Sequence, residues 1–589
     1  MSTQISPTST IAPSPSQELA MKEQEPLAAS ATGRSDDLAE KGQAVPYAGE
    51  GTEASPYIVK WLDNDPENPQ AWSAKVKWLI TANAAMSTLC VAFASSVYSG
   101  GAESFLVAFD VSYEIIILGV SLFVLGFAVG PLLWAPFSEQ FGRRAVFIPT
   151  YFLFAVFHIP CALAKNIETL LICRFLAGFW GSAPLTNSGG IISDLFSASE
   201  RALAMSLFAL APFAGPVLGP IVGGFMGLTI SWRWIFWLLT IFSFLMWAVC
   251  SLVPETYAPV LLRRRAEKLS KETGLVYRSM FDMNPMFSAP FSVKIKAALL
   301  RPFVLLFKEM IVLAFSVYAA FIYGLLYLFF IAFPIYFQQT LGWNQGVGGL
   351  PFISVGLGMC MAVVVNVWDN KRYVRNLVAN GGTLPPEARL PLCMVGGIVL
   401  PIGLLVFAWT TKKSVHWIVP IIFTAPFGFG MVAIFLSMMS YLIDSYLFVA
   451  ASALAANAVI RSLFGFAFPL FGRQMFSGMG TNWALFLLAM VSVALAPIPF
   501  VFYYYGARIR ANSAFAPRHK PAPAPAALAA GVERQLTRQE QEAEEIANLD
   551  LAQVESRREE REYEARTGII DEVAVEEAER KERAQQQQQ

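Results

Sequence analysis

Ala211-Pro-Phe-Ala-Gly-Pro-Val-Leu-Gly-Pro-Ile-Val-Gly-Gly224 is almost wholly apolar, with prolines at 212, 216 and 220. Ala211, Gly215, Gly219 and Gly223 recur at every fourth residue, so on a helix they form one face of small side chains. Such a face lets two helices approach closely, and close packing is the main attraction between helices in lipid. The prolines remove backbone donors and bend the helix. The stretch therefore reads as a kinked transmembrane helix docked tightly on a neighbour.

The rest of the chain supports a membrane setting. Of its 589 residues, 55% are hydrophobic and only 15% charged, where a soluble domain carries about a quarter charged residues. Mean hydropathy is +0.50. A span needs about 20 apolar residues. Twelve such runs lie near 76–98, 114–137, 145–164, 168–192, 202–227, 233–253, 310–337, 346–368, 391–410, 416–441, 448–470 and 482–505. The expected fold is an all-α polytopic membrane protein with twelve transmembrane helices in two six-helix halves, residues 71–253 and 310–510. A basic linker, 254–309, joins them, and disordered tails flank them at 1–70 and 511–589. Six plus six suggests parallel halves related by an axis along the membrane normal.

Charge sets the orientation. Residues 71–510 hold 28 Lys and Arg against 15 Asp and Glu, and the two tails hold the reverse. With the N-terminus inside, 21 cations outside the spans fall on the inner side and 5 on the outer, which predicts both termini in the cytosol. A basic body suits an anionic inner leaflet and membrane lipids as partners; it gives no reason to expect nucleic acid. The six cysteines lie in apolar stretches and the three histidines are scattered, so no metal centre or cofactor is expected.

Two more stretches narrow the class. Trp134-Ala-Pro-Phe-Ser-Glu-Gln-Phe-Gly-Arg-Arg144 follows span two: a tight turn that places cations near a helix end. Span four holds Arg174-Phe-Leu-Ala-Gly-Phe-Trp-Gly-Ser-Ala-Pro184. Together with Gly219-Pro-x-x-Gly-Gly224, these resemble the hallmark loop, the span-four motif and the antiporter motif of the major facilitator superfamily. The wording is similar to fungal twelve-spanner drug:proton antiporters of the polyamine-transporter-like branch, over roughly 57–510. Pro254-Glu-Thr-Tyr-Ala-Pro-Val-Leu-Leu-Arg263 and Ala456-Asn-Ala-Val-Ile-Arg-Ser-Leu-Phe464 also carry the likeness. The resemblance implies a gating set of Glu139, Gly142, Arg143, Arg144 and Asp194 that locks the halves in one access state. It implies a helix-packing antiporter motif of Gly215, Gly219, Pro220, Gly223 and Gly224. Ala135 and Glu139 depart from the loop pattern, Glu139 keeping the charge of the usual aspartate; Asp369-Asn-Lys-Arg-Tyr373 is a degenerate second-half counterpart.

Substrate chemistry rests on charges within the spans. Arg174 and Arg461 are the deep ionisable residues, and no carboxylate sits at mid-span. A mid-bilayer arginine costs about 2.5–3.5 kcal/mol and faces a cavity or a partner. Each has two readings: packing against backbone carbonyls, or a donor pair for a carboxylate. Tyr323 and Tyr327 share a helix face, either as a packing stripe or as a cavity wall. The candidate substrate-binding set is Arg461, Arg174, Tyr323, Tyr327 and Asn457.

These residues lean towards a monomeric secondary transporter, not an enzyme, that exports a small organic acid or secondary metabolite, driven by protons. No nucleotide-binding motif offers ATP drive. The family resemblance pulls instead towards a polyamine or multidrug:proton antiporter, and the long tails keep a transporter-like sensor as a distant alternative. The plasma membrane is the expected site, the vacuolar membrane the alternative.

Overall fold

The computed structural model describes residues 47–62, 65–196, 204–205, 207–283, 291–380, 384–446, 449–513 and 515. The expected tails before 47 and after 515 lie outside the described residues. The spanning helices are α1 (Ala74–Gly100), α2 (Tyr113–Phe141), α3 (Arg143–Leu163), α4 (Ile167–Leu195), α5 (Leu210–Thr229) and α6 (Arg233–Ser251). There follow α7 (Met310–Phe333), α8 (Phe352–Ala379), α9 (Pro391–Thr410), α10 (Ile418–Ser445), α11 (Ala450–Met479) and α12 (Thr481–Leu495), the last continued by Pro497–Ala511. Among the described residues, 11 helices are long and apolar enough to cross a membrane. The exception is α4: at 29 residues it matches its neighbours in length, but it carries Glu168, Arg174 and Asp194. It can do so because it packs against α1, α2 and α3, which shield its polar groups from lipid. The chain is thus an all-α polytopic membrane protein.

Packing repeats at an offset of six helices. α1 lies along α5 as α7 lies along α11; α2 lies on α4 as α8 lies on α10. α3 touches α4 and α6 as α9 touches α10 and α12. Two seams join the sets, α2 with α11 and α5 with α8.

The glycine face of α5 makes the first of these contacts. A Cβ at Gly215 would stand 2.5 Å from Ala92, and one at Gly219 would fall on Ser96 Oγ and 2.6 Å from the Val97 nitrogen. Gly223 meets the Val97 carbonyl, while Ser96 Oγ donates to the Gly215 carbonyl at 3.0 Å. Gly224 and Pro220 serve α1 and a second neighbour: a Cβ on Gly100 of α1 would fall on the Gly224 nitrogen and stand 2.8 Å from the Pro220 carbonyl. Gly224 abuts the carbonyl of Gln345 in the short helix Gln345–Gly349 ahead of α8, and the Pro220 carbonyl sits 2.7 Å from where a Cβ on Gly349 would be. The motif therefore packs on α1 along its whole length and reaches the second set of helices through Gly224 and Pro220. At the end of α7, Pro334 begins a π-helical segment, Pro334–Thr340; the missing donor and the ring's bulk favour that wider turn.

The face that carries the linker corrects the sequence reading. Residues 47–62 and 65–70 are not loose tail. Strand β1 (Tyr57–Val59) pairs in parallel with β2 (Tyr277–Ser279), and Tyr47, Val59 and Tyr277 bury against Leu262 and Ala266 of the helix Ala258–Thr273. Arg265 pairs with Asp65 and Arg263 with Asp282 at 2.6 Å. Burial alone would raise the Asp65 carboxyl, but hydrogen bonds from Arg265 and the Glu67 backbone outweigh it and hold it below the usual carboxylate range. The linker continues into a second helix, Phe291–Lys308.

The glycine contacts predict unequal tolerance of a single methyl group. Gly219→Ala should lower Tm, by an overpacking cost of about 1–3 kcal/mol. Gly478→Ala, at a helical position where a Cβ meets nothing within 4 Å, should leave Tm unchanged or raise it. Equal melting of the two purified variants would contradict the proposed contact.

Candidate functional site

Two groups of residues stand out, one at the linker face and one at mid-depth. At the linker face, α2 and α3 are joined by Gly142 alone, at φ 102°, a backbone region that favours glycine. The turn exposes the first N–H groups of α3, and a carboxylate covers them. Arg143 N and Arg144 N donate to Glu255 Oε1 and Oε2 at 2.9 and 3.1 Å. A negative group at a helix N-terminus answers both its free donors and its dipole. Glu255 also accepts from Thr256 N and Tyr257 N, each at 3.0 Å.

The Arg143 side chain points the other way. Nε donates to Asp194 Oδ2 at 3.2 Å, Nη1 donates to Ser138 Oγ at 2.9 Å, and the guanidinium lies 4.7 Å from the Tyr257 ring centre. Gly190 leaves room for it. Arg144 Nη2 donates to the Ser251 carbonyl at 3.0 Å. Gly142, Arg143, Arg144 and Asp194 therefore lie together around Glu255, a residue to which the sequence gives no role. Glu139 stands apart: the charges that face it are those of Arg143 and Arg301, while the ion pair of Arg143 goes to Asp194.

A matching cluster closes the same face of the second set. Arg389, just before α9, pairs with Asp444 near the end of α10 at 2.9 Å, as Arg143 pairs with Asp194 near the end of α4. Arg389 also stacks 3.4 Å from the Tyr373 ring centre and donates to Asn370 Oδ1 at 3.1 Å. Glu387 accepts both Arg510 Nε and Nη2, at 3.0 and 2.7 Å. Near the degenerate second-half motif Asp369 pairs with Arg372, and the cation that pairs with Asp444 lies twenty residues on from Asp369.

At mid-depth the two deep arginines differ. Arg174 is fully buried, and every donor nitrogen of its side chain is engaged: Nε to the Gly119 carbonyl at 3.1 Å, Nη1 to Ala94 at 2.7 Å, Nη2 to Ser95 at 3.3 Å. The Phe123 and Tyr98 rings flank it at 4.2 and 4.9 Å. This is the packing arrangement, tying α4 to α1 and α2. Arg461 is otherwise. Its guanidinium lies 4.9 Å from the Tyr323 ring centre and 5.5 Å from that of Phe435, and its buried Nε has no hydrogen-bond partner. One helical turn earlier, Asn457 is fully buried with neither Oδ1 nor Nδ2 partnered; Asn187 on α4 is in the same condition.

Tyrosines link the two arginines. Tyr323 OH and Tyr327 OH are 3.4 Å apart, and Tyr327 OH is 3.0 Å from Ser95 Oγ. Ser95 is the residue whose carbonyl Arg174 holds. The chain Arg174–Ser95–Tyr327–Tyr323–Arg461 thus crosses from α4 through α1 and α7 to α11. Arg461, Asn457, Tyr323 and Tyr327 gather on the second set of helices; Arg174 reaches them only through Ser95. Neither Ser95 nor Asn187 was separable by sequence from other small polar residues of its span. Arg461 is half-buried, with its buried Nε idle one turn from the idle amide of Asn457, whereas buried polar groups ordinarily find partners.

A bundle of spans that encloses such groups, with charge clusters repeated at one face, is the architecture of a solute transporter. The family model for the Major Facilitator Superfamily matches residues 84–469, and the chain belongs to that family. It is 52% identical over 449 residues, 76% of this chain and 74% of the relative, to the Major facilitator superfamily multidrug transporter mdrA of Aspergillus fumigatus. It is 42% identical over 450 residues, 76% of this chain and 86% of the relative, to the Ascochitine biosynthesis cluster MFS transporter of Didymella fabae. Among solved structures, the proton:xylose symporter XylE bound to 6-bromo-6-deoxy-D-glucose shares the fold with a TM-score of 0.54 at 17% identity, over 74% of this chain and 96% of that one. The chain is a transporter, not an enzyme.

The helix cap makes a prediction. Glu255→Gln removes the charge from the α3 N-terminus and should destabilise the purified protein by about 1 kcal/mol at low salt. Glu139→Gln should have a smaller effect on Tm. The reverse order would show that Glu139, not Glu255, anchors this loop.

Proposed function

We propose that the protein is a secondary active exporter of a small organic solute bearing a carboxylate or carbonyl group, an organic acid or secondary metabolite. The observation that carries the reading is Arg461, a mid-membrane guanidinium whose buried Nε has no protein partner, beside the unpartnered amide of Asn457. An arginine fork matches a carboxylate with paired donors. Tyr323 and Phe435 supply ring faces around it, and Tyr327 supplies a hydroxyl. The relative named for a metabolite biosynthesis cluster supports a metabolite as cargo. In this reading Arg174 is a positioning residue that holds α1 against α4, so its loss slows turnover more than it weakens affinity.

Residues 71–253 and 310–510 act as two bodies that rock about the α2–α11 and α5–α8 seams, with 254–309 between them. Protons drive the exchange, and the tyrosine–serine chain between the arginines offers hydroxyls along which a proton can pass. The linker face is the cytosolic face, as its excess of cations directs, so both termini are cytosolic. The plasma membrane is the proposed location and the chain acts as a monomer.

The aromatic walls and the multidrug name of one relative favour a second reading, a polyamine-like or multidrug:proton antiporter taking cations against ring faces. Concentration-dependent flux in reconstituted vesicles separates the two. Arg461→Ala should weaken uptake of candidate acids by about 1.5–3 kcal/mol, or roughly 10- to 100-fold in apparent affinity, with Arg461→Lys intermediate. Unchanged acid affinity, or a profile confined to cations, would favour the antiporter of cationic drugs.

A further inference from the structure

The helix Phe291–Lys308 touches α2, α7 and α11, so it lies at one of the two seams. Pro302, Leu305 and Leu306 form its buried side. Its opposite side is also apolar. Val293, Leu300, Phe303 and Phe307 are 51%, 52%, 41% and 78% exposed. With Lys296 they follow steps of three and four residues, which align them in one stripe along the helix. The stripe continues into Met310 and Leu313, 69% and 39% exposed on the first turn of α7, and so runs onto the outer wall of a membrane span. Lys296 within the stripe and Lys308 next to its end are both exposed.

A contiguous row of large apolar side chains left in water is unfavourable and marks an interaction surface. Continuity with the wall of α7 identifies what covers this one. Lysines can lay their methylene stems on an apolar surface while the ammonium stays among polar groups. We propose that Phe291–Lys308 lies in the membrane interface, with this stripe in the acyl boundary and Lys296 and Lys308 on anionic phospholipid headgroups. Its inner side touches helices of both sets, so lipid charge acts on the seam where they meet.

The unaltered full chain can be tested in nanodiscs doped with photo-activatable phosphatidylserine or phosphatidylcholine. Peptides spanning 293–310 should take up the serine lipid in preference to the choline lipid. Lys296→Gln and Lys308→Gln should each reduce that preference about fivefold, the equivalent of about 1 kcal/mol per cation. Labelling around Met361, exposed on α8, should not discriminate and serves as the reference. Labelling of 293–310 no stronger than that of the helix Ala258–Thr273, or equal labelling by the two lipids, would overturn the proposal.

Discussion

Three glycines of α5 hold its backbone against α1, and the rest of the structure is arranged around that approach. Lipid tails are as apolar as leucine, so helices in a bilayer associate only where surfaces fit closely. Gly215, Gly219 and Gly223 bring α5 to the level of Ala92, Val97 and the Ser96 hydroxyl. The same constraint recurs where α2 meets α4, with Gly178 on the Phe123 carbonyl, and where α8 meets α10, with Gly428 on the Val355 carbonyl. Because α5 also offers Gly224 and Pro220 to Gln345 and Gly349, the contact that fixes α1 also sets the distance to the second set of helices. A motif that looks like one packing face thus serves two neighbours.

The charged residues divide by depth. At the linker face four carboxylates have defined partners: Glu255 takes a helix N-terminus, Asp194 takes Arg143, Asp444 takes Arg389, Glu387 takes Arg510. These pairs lie within one set of helices or the other, so they stiffen each half at its rim. Deeper in, no acid faces Arg174 or Arg461 among the described residues, and the two are treated differently. Carbonyls of α1 and α2 answer Arg174. Arg461 rests on rings with an idle nitrogen. A mid-membrane cation costs several kcal/mol unless something repays it, and for Arg461 a bound solute is the natural candidate.

Much of this was legible in the sequence, for reasons particular to membranes. A span must satisfy its own backbone, so twenty apolar residues read as a helix whatever follows. Arg174 and Arg461 were visible because a charge in such a run is conspicuous. What escaped were pairings between distant segments. Arg389 gives no sign of its partner Asp444, since the two meet only when α9 and α10 stand side by side. Glu255 reads as one acid in a Pro-Glu-Thr-Tyr turn until the α3 N-terminus is seen above it. Ser95 is one of several serines in α1 until Tyr327 reaches it. The segment 47–62 is too short and too polar to announce a strand, and it forms one only because 277–279 offers an edge.

The central claim is that residues 71–253 and 310–510 move as two bodies around the Arg461 site. Spin labels can measure it directly at exposed positions on the face opposite the linker. Val107 and Ile230 belong to the first half and Trp483 to the second. Pulsed dipolar distances in nanodiscs should give one population for the pair 107–230. The pair 107–483 should give two, whose weights shift with pH or added solute. A single, invariant distance for both pairs would contradict the account.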